Sequence, residues 1–255
     1  MLWQKLSLLL NQHSTKIHKY IPGMLSIIIP TYNEGDYIKA TIQQLWENDT
    51  QNLITEIIVA DGGSTDDTCG IASSEGVRVV NCPKKGRAAQ MNFGAGYALS
   101  ETLYFLHADT IPPINFTTMI TDAIKQGFGA GCFMLSFNHP NWFLKANCWF
   151  TRFDIDAIRF GDQSLFVTKK AFQQAGGFCE KHIVLEDQHL IKRLKKLTRF
   201  TIIKNPVVTS ARKYLINGIY KTQAVFFYIY LKYRMGFSQQ QLITTYRQLI
   251  KQDKL

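Results

Sequence analysis

From Leu25 onward, short unbroken apolar runs alternate with segments of helical period. "LSIIIP" precedes "YIKATIQQLWEN", where Ile38, Ile42 and Leu45 share one helical face, and "TEIIVA" precedes "STDDTCGIAS". In the latter, Ser64 suits an N-cap and Asp67 the third helical position, where an acid complements the dipole. "VRVVNC", the helical "GRAAQMNFGAGYALS", the strand "TLYFLH" and a helix around "FTTMITDAIKQG" continue the series. Continuous apolar strands need cover on both faces. The succession therefore predicts an α/β fold with a mostly parallel central sheet, helices on both sides and right-handed crossovers. After Gly127 the pattern loosens into "FGAGCFMLSF", an aromatic stretch, "GDQSLFVTKKAFQQAGGF" and the helix "LEDQHLIKRLKKL". Trp142, Phe143, Trp149, Phe150 and Phe153 are read as core, since aromatic side chains dominate protein cores. No repeat or low-complexity linker interrupts the chain, so one continuous domain is expected.

Size and composition support that reading: 255 residues, 46% hydrophobic, are enough for a full core. The five cysteines form no C-x-x-C pair and no even framework, which suggests neither a zinc site nor a secreted disulfide scaffold and fits a reducing cytoplasm. The formal charge of +10 is unevenly spread: +3 over residues 1–23, −6 over 24–187 and +13 over 188–255, where 14 basic residues face one acid. The basic tail holds eight apolar or aromatic residues, Ala224 to Leu231, flanked by Lys221, Lys232 and Arg234. A bilayer span needs roughly 20 apolar residues, so this is either a core helix or a segment at a membrane interface. "LSLLL" near the N-terminus is too short for a convincing signal peptide. Three segments are expected: a basic leader (1–23), a catalytic domain (24–212) and a basic, aromatic-rich helical extension (213–255).

Several strands end in polar residues: "PTYNE" after the first, "DGGSTD" after the second, "HAD" at the end of "TLYFLH". Carboxyl ends of parallel strands share one edge, so Thr31, Glu34, Asp61 and Asp109 are expected to converge on a crevice there. Asp109 also reads as a helix cap ahead of Pro112-Pro113, and Asp-Gly-Gly as an ordinary turn. Neither a dinucleotide-binding glycine fingerprint nor a P-loop is present, which argues against nicotinamide dehydrogenases and P-loop NTPases. Carboxylates beside phosphates make chemical sense with a hard cation, Mg²⁺ or Mn²⁺, between them.

The ordered set "SIIIPTYNE", "DGGSTD", "GRAAQMNFG", "FLHADT", "AFQQAGGF" and "LEDQHL" resembles the family-2 inverting glycosyltransferases of the GT-A fold, over roughly residues 24 to 212. The resemblance is nearest to a bacterial subgroup in which "HAD" stands in for D-x-D. It implies that Pro30, Thr31 and Glu34 lie near the nucleoside, with Glu34 reaching the ribose. Asp61 then accepts a hydrogen bond from the base, and Arg87 and Asn92 border the base or diphosphate. Asp109 takes the place of the last D-x-D acid, which binds the metal holding the diphosphate. His107 replaces the first acid, and either donates a hydrogen bond there or turns into the core. Asp187 resembles the general base that removes a proton from the acceptor hydroxyl as it displaces the diphosphate. Glu186, its neighbour, points about 100° away on a helix and is expected to do a different job. The same pair also reads as a solvated first turn complementing the dipole.

Gly176-Gly177-Phe178 reads as a helix stop that shapes the acceptor side. Asp162 and Gln163 are candidates for hydrogen bonds to sugar hydroxyls, or a polar turn, and Arg212 in "TSARKY" for a countercharge to the diphosphate. The expected donor is a nucleoside-diphosphate sugar, UDP- or GDP-linked, used with Mg²⁺ or Mn²⁺. The acceptor is a hydroxyl, with a lipid at the inner membrane face favoured by the basic aromatic tail. Two other classes are compatible with parts of the sequence: a sugar-phosphate nucleotidyltransferase, which leaves Asp187 unused, and a nucleic-acid-binding module driven by the tail. The acidic site region and the lack of a recognised binding motif weigh against nucleic acid as a partner.

Overall fold

Strand β1 (Leu25–Thr31) is buried along its whole length, as its unbroken isoleucines require. Helix α1 (Gly35–Asn48) leads to β2 (Ile54–Asp61), which pairs with β1 in parallel. Next come α2 (Thr68–Ser74), β3 (Arg78–Asn81), α3 (Arg87–Tyr97) and β4 (Thr102–Phe105), completing a four-stranded parallel half. These elements belong to a computed structural model that describes residues 25–155 and 163–251; the leader and Asp162 lie outside the described residues.

The chain continues through β5 (Thr110–Ile111), α4 (Phe116–Lys125), β6 (Phe128–Phe137), α5 (Trp142–Phe150), β7 (Leu165–Thr168) and α6 (Lys169–Gln174). It ends with α7 (Glu186–Leu197), β8 (Arg199–Thr209), α8 (Arg212–Asn217), α9 (Ile219–Arg234) and α10 (Gln239–Leu249). The sheet has the order β3-β2-β1-β4-β7-β6-β8-β5. Only β7 and β5 run against the other six strands. The expected mostly parallel sheet is therefore present, with its antiparallel strands confined to the second half.

Alternation along β1 feeds two cores. Ile27 and Ile29 pack with Ile38, Ile42 and Leu45 of α1 and with Phe116 and Ile120 of α4, whereas Ile28 packs with Met91 and Ala95 of α3. Helix α3 lies so close to β1 that a Cβ on Gly94 would stand 2.7 Å from Ile28 Cγ2.

Two local expectations are corrected, and one stretch without an assignment gains one. "FGAGCFMLSF" is a ten-residue strand, paired on both sides; its glycines lower strand propensity but admit the Phe166 ring, since a Cβ on Gly131 would lie 2.4 Å from Phe166 Cζ. Ser64 does not cap α2, which starts at Thr68; its hydroxyl bonds Asp61 instead. The aromatic stretch is largely not core: Trp142, Trp149, Phe150 and Phe153 are exposed, because α5 buries only the Leu144–Cys148 face. Trp149 packs on Phe150, Phe153 and the Arg152 guanidinium, all at the surface.

The C-terminal helices form a satellite core of their own. Val225 and Ile229 of α9 pack with Leu242, Ile243 and Tyr246 of α10 and with Val184 ahead of α7. Phe227, Tyr228 and Leu231, from the same apolar stretch, are exposed. One face of the stretch is thus core and the other surface. Among the described residues, no helix is long and apolar enough to cross a membrane.

Candidate active site

The carboxyl ends of β1 and β4 open into a cavity of about 480 Å³, closed on its far side by α7, α8 and α10. Pro30 and Thr31 line it from β1, Glu34 from the N-cap of α1, and His107 and Asp109 from the loop after β4. Asp187 lines it from the first turn of α7 and Arg212 from the start of α8. The crevice expected from strand polarity exists, and His107 faces it rather than the core.

Pairing between β5 and β8 gives this site its centre. Thr110 stands opposite Thr209, their hydroxyls 2.9 Å apart, and the Ser210 amide donates to the Asp109 carbonyl at 3.2 Å. Asp109 and Arg212 are thereby brought to the same place. Arg212 Nη2 lies 3.2 Å from Asp109 Oδ2 and donates to Glu34 Oε1 and Oε2, each at 3.0 Å. The guanidinium also sits over the Tyr37 ring, 4.4 Å from its centroid. Burial pulls the Arg212 pKa down, but the Asp109 and Glu34 carboxylates outweigh it and hold the group above its ordinary value. Asp109 does not cap the following helix, whose N-cap is Asn115.

Glu186 and Asp187 diverge as helical geometry demands. Glu186 is 1% exposed, and Arg87 Nη2 of α3 approaches its Oε1 at 2.9 Å, an ion pair lying outside hydrogen-bond angles. Asp187 lines the main cavity and also a side niche of about 10 Å³ that it shares with His107, Pro30 and Ser164. One acid anchors α7 to α3 while the other is presented to the cavity.

Three sequence-assigned residues stand elsewhere. Asp61 is 2% exposed and does not line the cavity. It accepts from Thr31 Oγ1 at 3.0 Å, from the Gly63 and Ser64 amides at 2.8 Å each, and from the Ser64 hydroxyl. Burial pushes its pKa up, but these Ser64, Gly63 and Thr31 donors prevail and leave it below the ordinary carboxylate value. Its oxygens are occupied by the turn's own donors. Asn92 donates to the Phe178 carbonyl at 2.9 Å and accepts from the Phe178 amide at 2.8 Å, so its amide is turned to the Gly177-Phe178 turn, away from the cavity. Gln163 is buried and donates to the Thr151 carbonyl at 3.3 Å. None of the three lines the cavity: Asp61 is engaged by Thr31, Gly63 and Ser64, Asn92 by the Phe178 backbone, and the Gln163 amide nitrogen is turned to Thr151.

Other residues of the site carried no motif. Lys84 and Lys85 line the rim before α3, and Lys213, Arg247 and Lys251 reach it from the C-terminal helices. Among the described residues, seven Lys/Arg side chains and five carboxylates line the cavity, and four of the seven cations come from the basic tail. Gln90 is buried and donates to the Thr31 and Ala60 carbonyls at 2.6 and 2.9 Å, tying the ends of β1 and β2 to α3.

The sheet, whose carboxyl edge holds the aspartate–arginine–glutamate cluster and a second, separate acid, has the fold of solved GT-A nucleotide-sugar transferases. The model of the glycosyl transferase family 2 matches residues 26–173, and the chain belongs to that family. Among curated proteins, glycosyltransferase GlyG of Streptococcus pneumoniae is 29% identical over 109 residues, 40% of this chain and 36% of its own. The succinoglycan biosynthesis protein ExoA of Rhizobium meliloti is 32% identical over 109 residues, 40% of this chain and 33% of its own. The chain thus spans about a third of the length of these relatives. Among solved structures, TarS 1-349 of S. aureus in complex with UDP-GlcNAc has a TM-score of 0.63 at 16% identity over 73% of this chain and 58% of that one. The mannosyltransferase PcManGT of Pyrobaculum calidifontis, in complex with GDP-Man and Mn²⁺, has a TM-score of 0.61 at 16% identity over 89% and 70%.

Proposed function

We propose that this protein transfers a sugar from a nucleoside-diphosphate sugar to an acceptor hydroxyl with inversion, and that Asp187 is the general base. The observation that carries the reading is that Asp187 lines the same cavity as the Arg212–Asp109–Glu34 cluster. The acceptor oxygen attacks the anomeric carbon, its proton passes to the Asp187 carboxylate, and the carbon–oxygen bond to the diphosphate breaks. A positioned base of this kind contributes about 10²–10⁴-fold. Arg212, Arg87 and the lysines of the rim offset the charge that develops on the leaving diphosphate. UDP- and GDP-linked donors are favoured, since TarS has been solved with UDP-GlcNAc and PcManGT with GDP-Man.

The chemistry of the site suits a hard divalent cation. Asp109 offers oxygen ligands, and Mg²⁺ characteristically takes one or two carboxylates and completes its shell with substrate phosphates and water. Mg²⁺ or Mn²⁺ bound there would polarise the diphosphate and lower the charge on the leaving group. Asp109 is the residue that would hold it, and Glu34, which shares Arg212 with Asp109, helps to set the local charge.

A lipid-linked acceptor at the inner face of the cell membrane fits the surface. Exposed Trp142, Tyr220, Tyr228 and Leu231 lie on α5 and α9, and the Phe143 and Tyr220 rings, 4.9 Å apart, join the two helices. Lys221, Lys232 and Arg234 add cations that anionic lipid attracts at about 1 kcal/mol each. Flotation with anionic vesicles tests this: binding that weakens in high salt is expected, and salt-insensitive exclusion from vesicles sinks the membrane part.

Calorimetric titration of UDP, GDP, CMP and dTDP, with and without Mn²⁺, on the native chain and on Asp109→Asn tests the central reading. One diphosphate should bind in a manner that needs both the metal and Asp109. Metal-independent binding, or none, overturns it.

A further inference from the structure

Between α6 and α7 lies a cluster that the transfer chemistry does not use. Cys179, His182 and His189 each bring one ligand atom to within 4.8 Å of the others. Their spacing is C-x2-H-x6-H, with no C-x-x-C pair to mark it in the sequence. The first two sit on a turn closed by the His182 amide donating to the Cys179 carbonyl at 2.8 Å, the i, i+3 arrangement by which zinc-binding turns present two ligands to one point. His189 comes from the first turns of α7.

A second observation points to a ligand. The His182 and His189 rings stack with centroids 3.9 Å apart, and Nδ1 of each is buried without a hydrogen-bond partner. Two buried, unpaired imidazole nitrogens facing the same neighbourhood cost free energy, on the order of 1–3 kcal/mol each, unless something binds them. Nearby Arg193 donates to the Ala175, Gly177 and His189 carbonyls, which fixes the loop around the cluster.

We propose that Cys179, His182 and His189 form a binding site for one thiophilic divalent cation, Zn²⁺. A thiolate and two neutral imidazoles are the ligands of zinc rather than of Mg²⁺ or Mn²⁺. Tetrahedral zinc sets ligand–ligand separations of about 3.3–3.6 Å, so closing the site takes a contraction of more than an ångström and a turn of the two stacked rings, since an imidazole lone pair lies in its ring plane. Three protein ligands leave a fourth position, and His182 lines the active-site cavity. The ion would fasten the Cys179–His182 turn to the helix that presents Asp187, two residues from the ligand His189. This site is separate from Asp109 and does not depend on the identity of the donor.

The test uses the full chain stripped with a chelator and then titrated with Zn²⁺ against a chromophoric chelator, with Co²⁺ as the spectroscopic probe. One Zn²⁺ per chain is expected, and Co²⁺ should give tetrahedral visible bands and a thiolate charge-transfer band. Cys179→Ser should abolish that band, and His189→Ala should weaken Zn²⁺ binding at least tenfold, whereas Asp109→Asn should leave both unchanged. A native chain that takes up no stoichiometric Zn²⁺ overturns the proposal whatever the variants do. So does octahedral Co²⁺ without a thiolate band, or loss of the ion in Asp109→Asn.

Discussion

Arg212 Nη2 stands 3.2 Å from Asp109 Oδ2 while donating to both oxygens of Glu34. One cation therefore holds together two acids that belong to different strand ends, at the place where a diphosphate and its metal would bind. Arg212→Ala removes a charge-assisted donor and leaves two neighbouring carboxylates uncompensated. Hydrogen bonds to charged groups contribute about 1.5–3 kcal/mol, so affinity for the preferred nucleoside diphosphate should fall by about 10- to 100-fold. Arg212→Lys should restore only part of it, because a point charge cannot replace the planar fork that reaches Glu34 and Asp109 together. Calorimetry on the two variants checks both statements.

Asp187 and Glu186 are adjacent but should fail differently. Asp187→Asn keeps shape and loses the proton acceptor, so kcat should drop by about 10²–10⁴-fold with donor affinity nearly unchanged. Glu186 is buried against Arg87, so Arg87→Ala strands a carboxylate that is 1% exposed. A buried group left without its partner costs roughly 1–3 kcal/mol, and thermal unfolding should show that loss. Steady-state kinetics and melting curves on both variants should show a fall in kcat alone for Asp187→Asn, and a lowered melting temperature together with weakened catalysis for Arg87→Ala, whose guanidinium also lines the cavity.

Asn92 and Gly177 form a pair that locks the turn before α7. Gly177 has φ 63°, and a Cβ there would lie 2.8 Å from Asn92 Oδ1. Gly177→Ala should cost about 1–2 kcal/mol from the left-handed backbone alone, plus whatever displaces Asn92. Asn92→Ala loses both bonds to Phe178, and should destabilise the protein while leaving diphosphate affinity within about twofold. Loss of diphosphate binding without loss of stability in Asn92→Ala would return that residue to the site.

What could be read from the sequence follows from how local each signal is. The β-α-β half was legible because each strand is a continuous apolar run and each helix carries its own period; the place of Asp109 at the cavity edge follows from standing just past one such run, whereas Asp187, in the first turn of α7, was marked only by a resemblance. The strand Phe128–Phe137 was hidden by glycines that make room for Phe166. Arg212 looked like one of many tail cations, since its importance comes from the β5–β8 pairing that sets it beside Asp109. Asn92 was misread for the complementary reason. A motif marks a polar residue on a helix, but the groups that meet its amide come from a distant turn. The same holds for Trp142 and Trp149, whose exposure depends on which face α5 turns to β6.

Asp61 supplies a pH dependence of stability. Its carboxylate accepts four hydrogen bonds within the structure, and its pKa lies below the unfolded value of about 3.8. The folded state thus binds this proton less readily than the unfolded state. The stabilisation is present in full above the unfolded value and is lost as pH falls through the lowered folded one. Asp61→Asn should therefore lower the melting temperature at pH 7, because an amide cannot accept from every one of those donors and brings two N–H groups that need acceptors. The difference between native and variant proteins should shrink as the pH is taken below about 3.8, where the unfolded chain takes up a proton that the native carboxylate still resists. A gap in melting temperature that stays constant between pH 7 and pH 3 would show that the Asp61 charge adds nothing to the stability of the β2 turn.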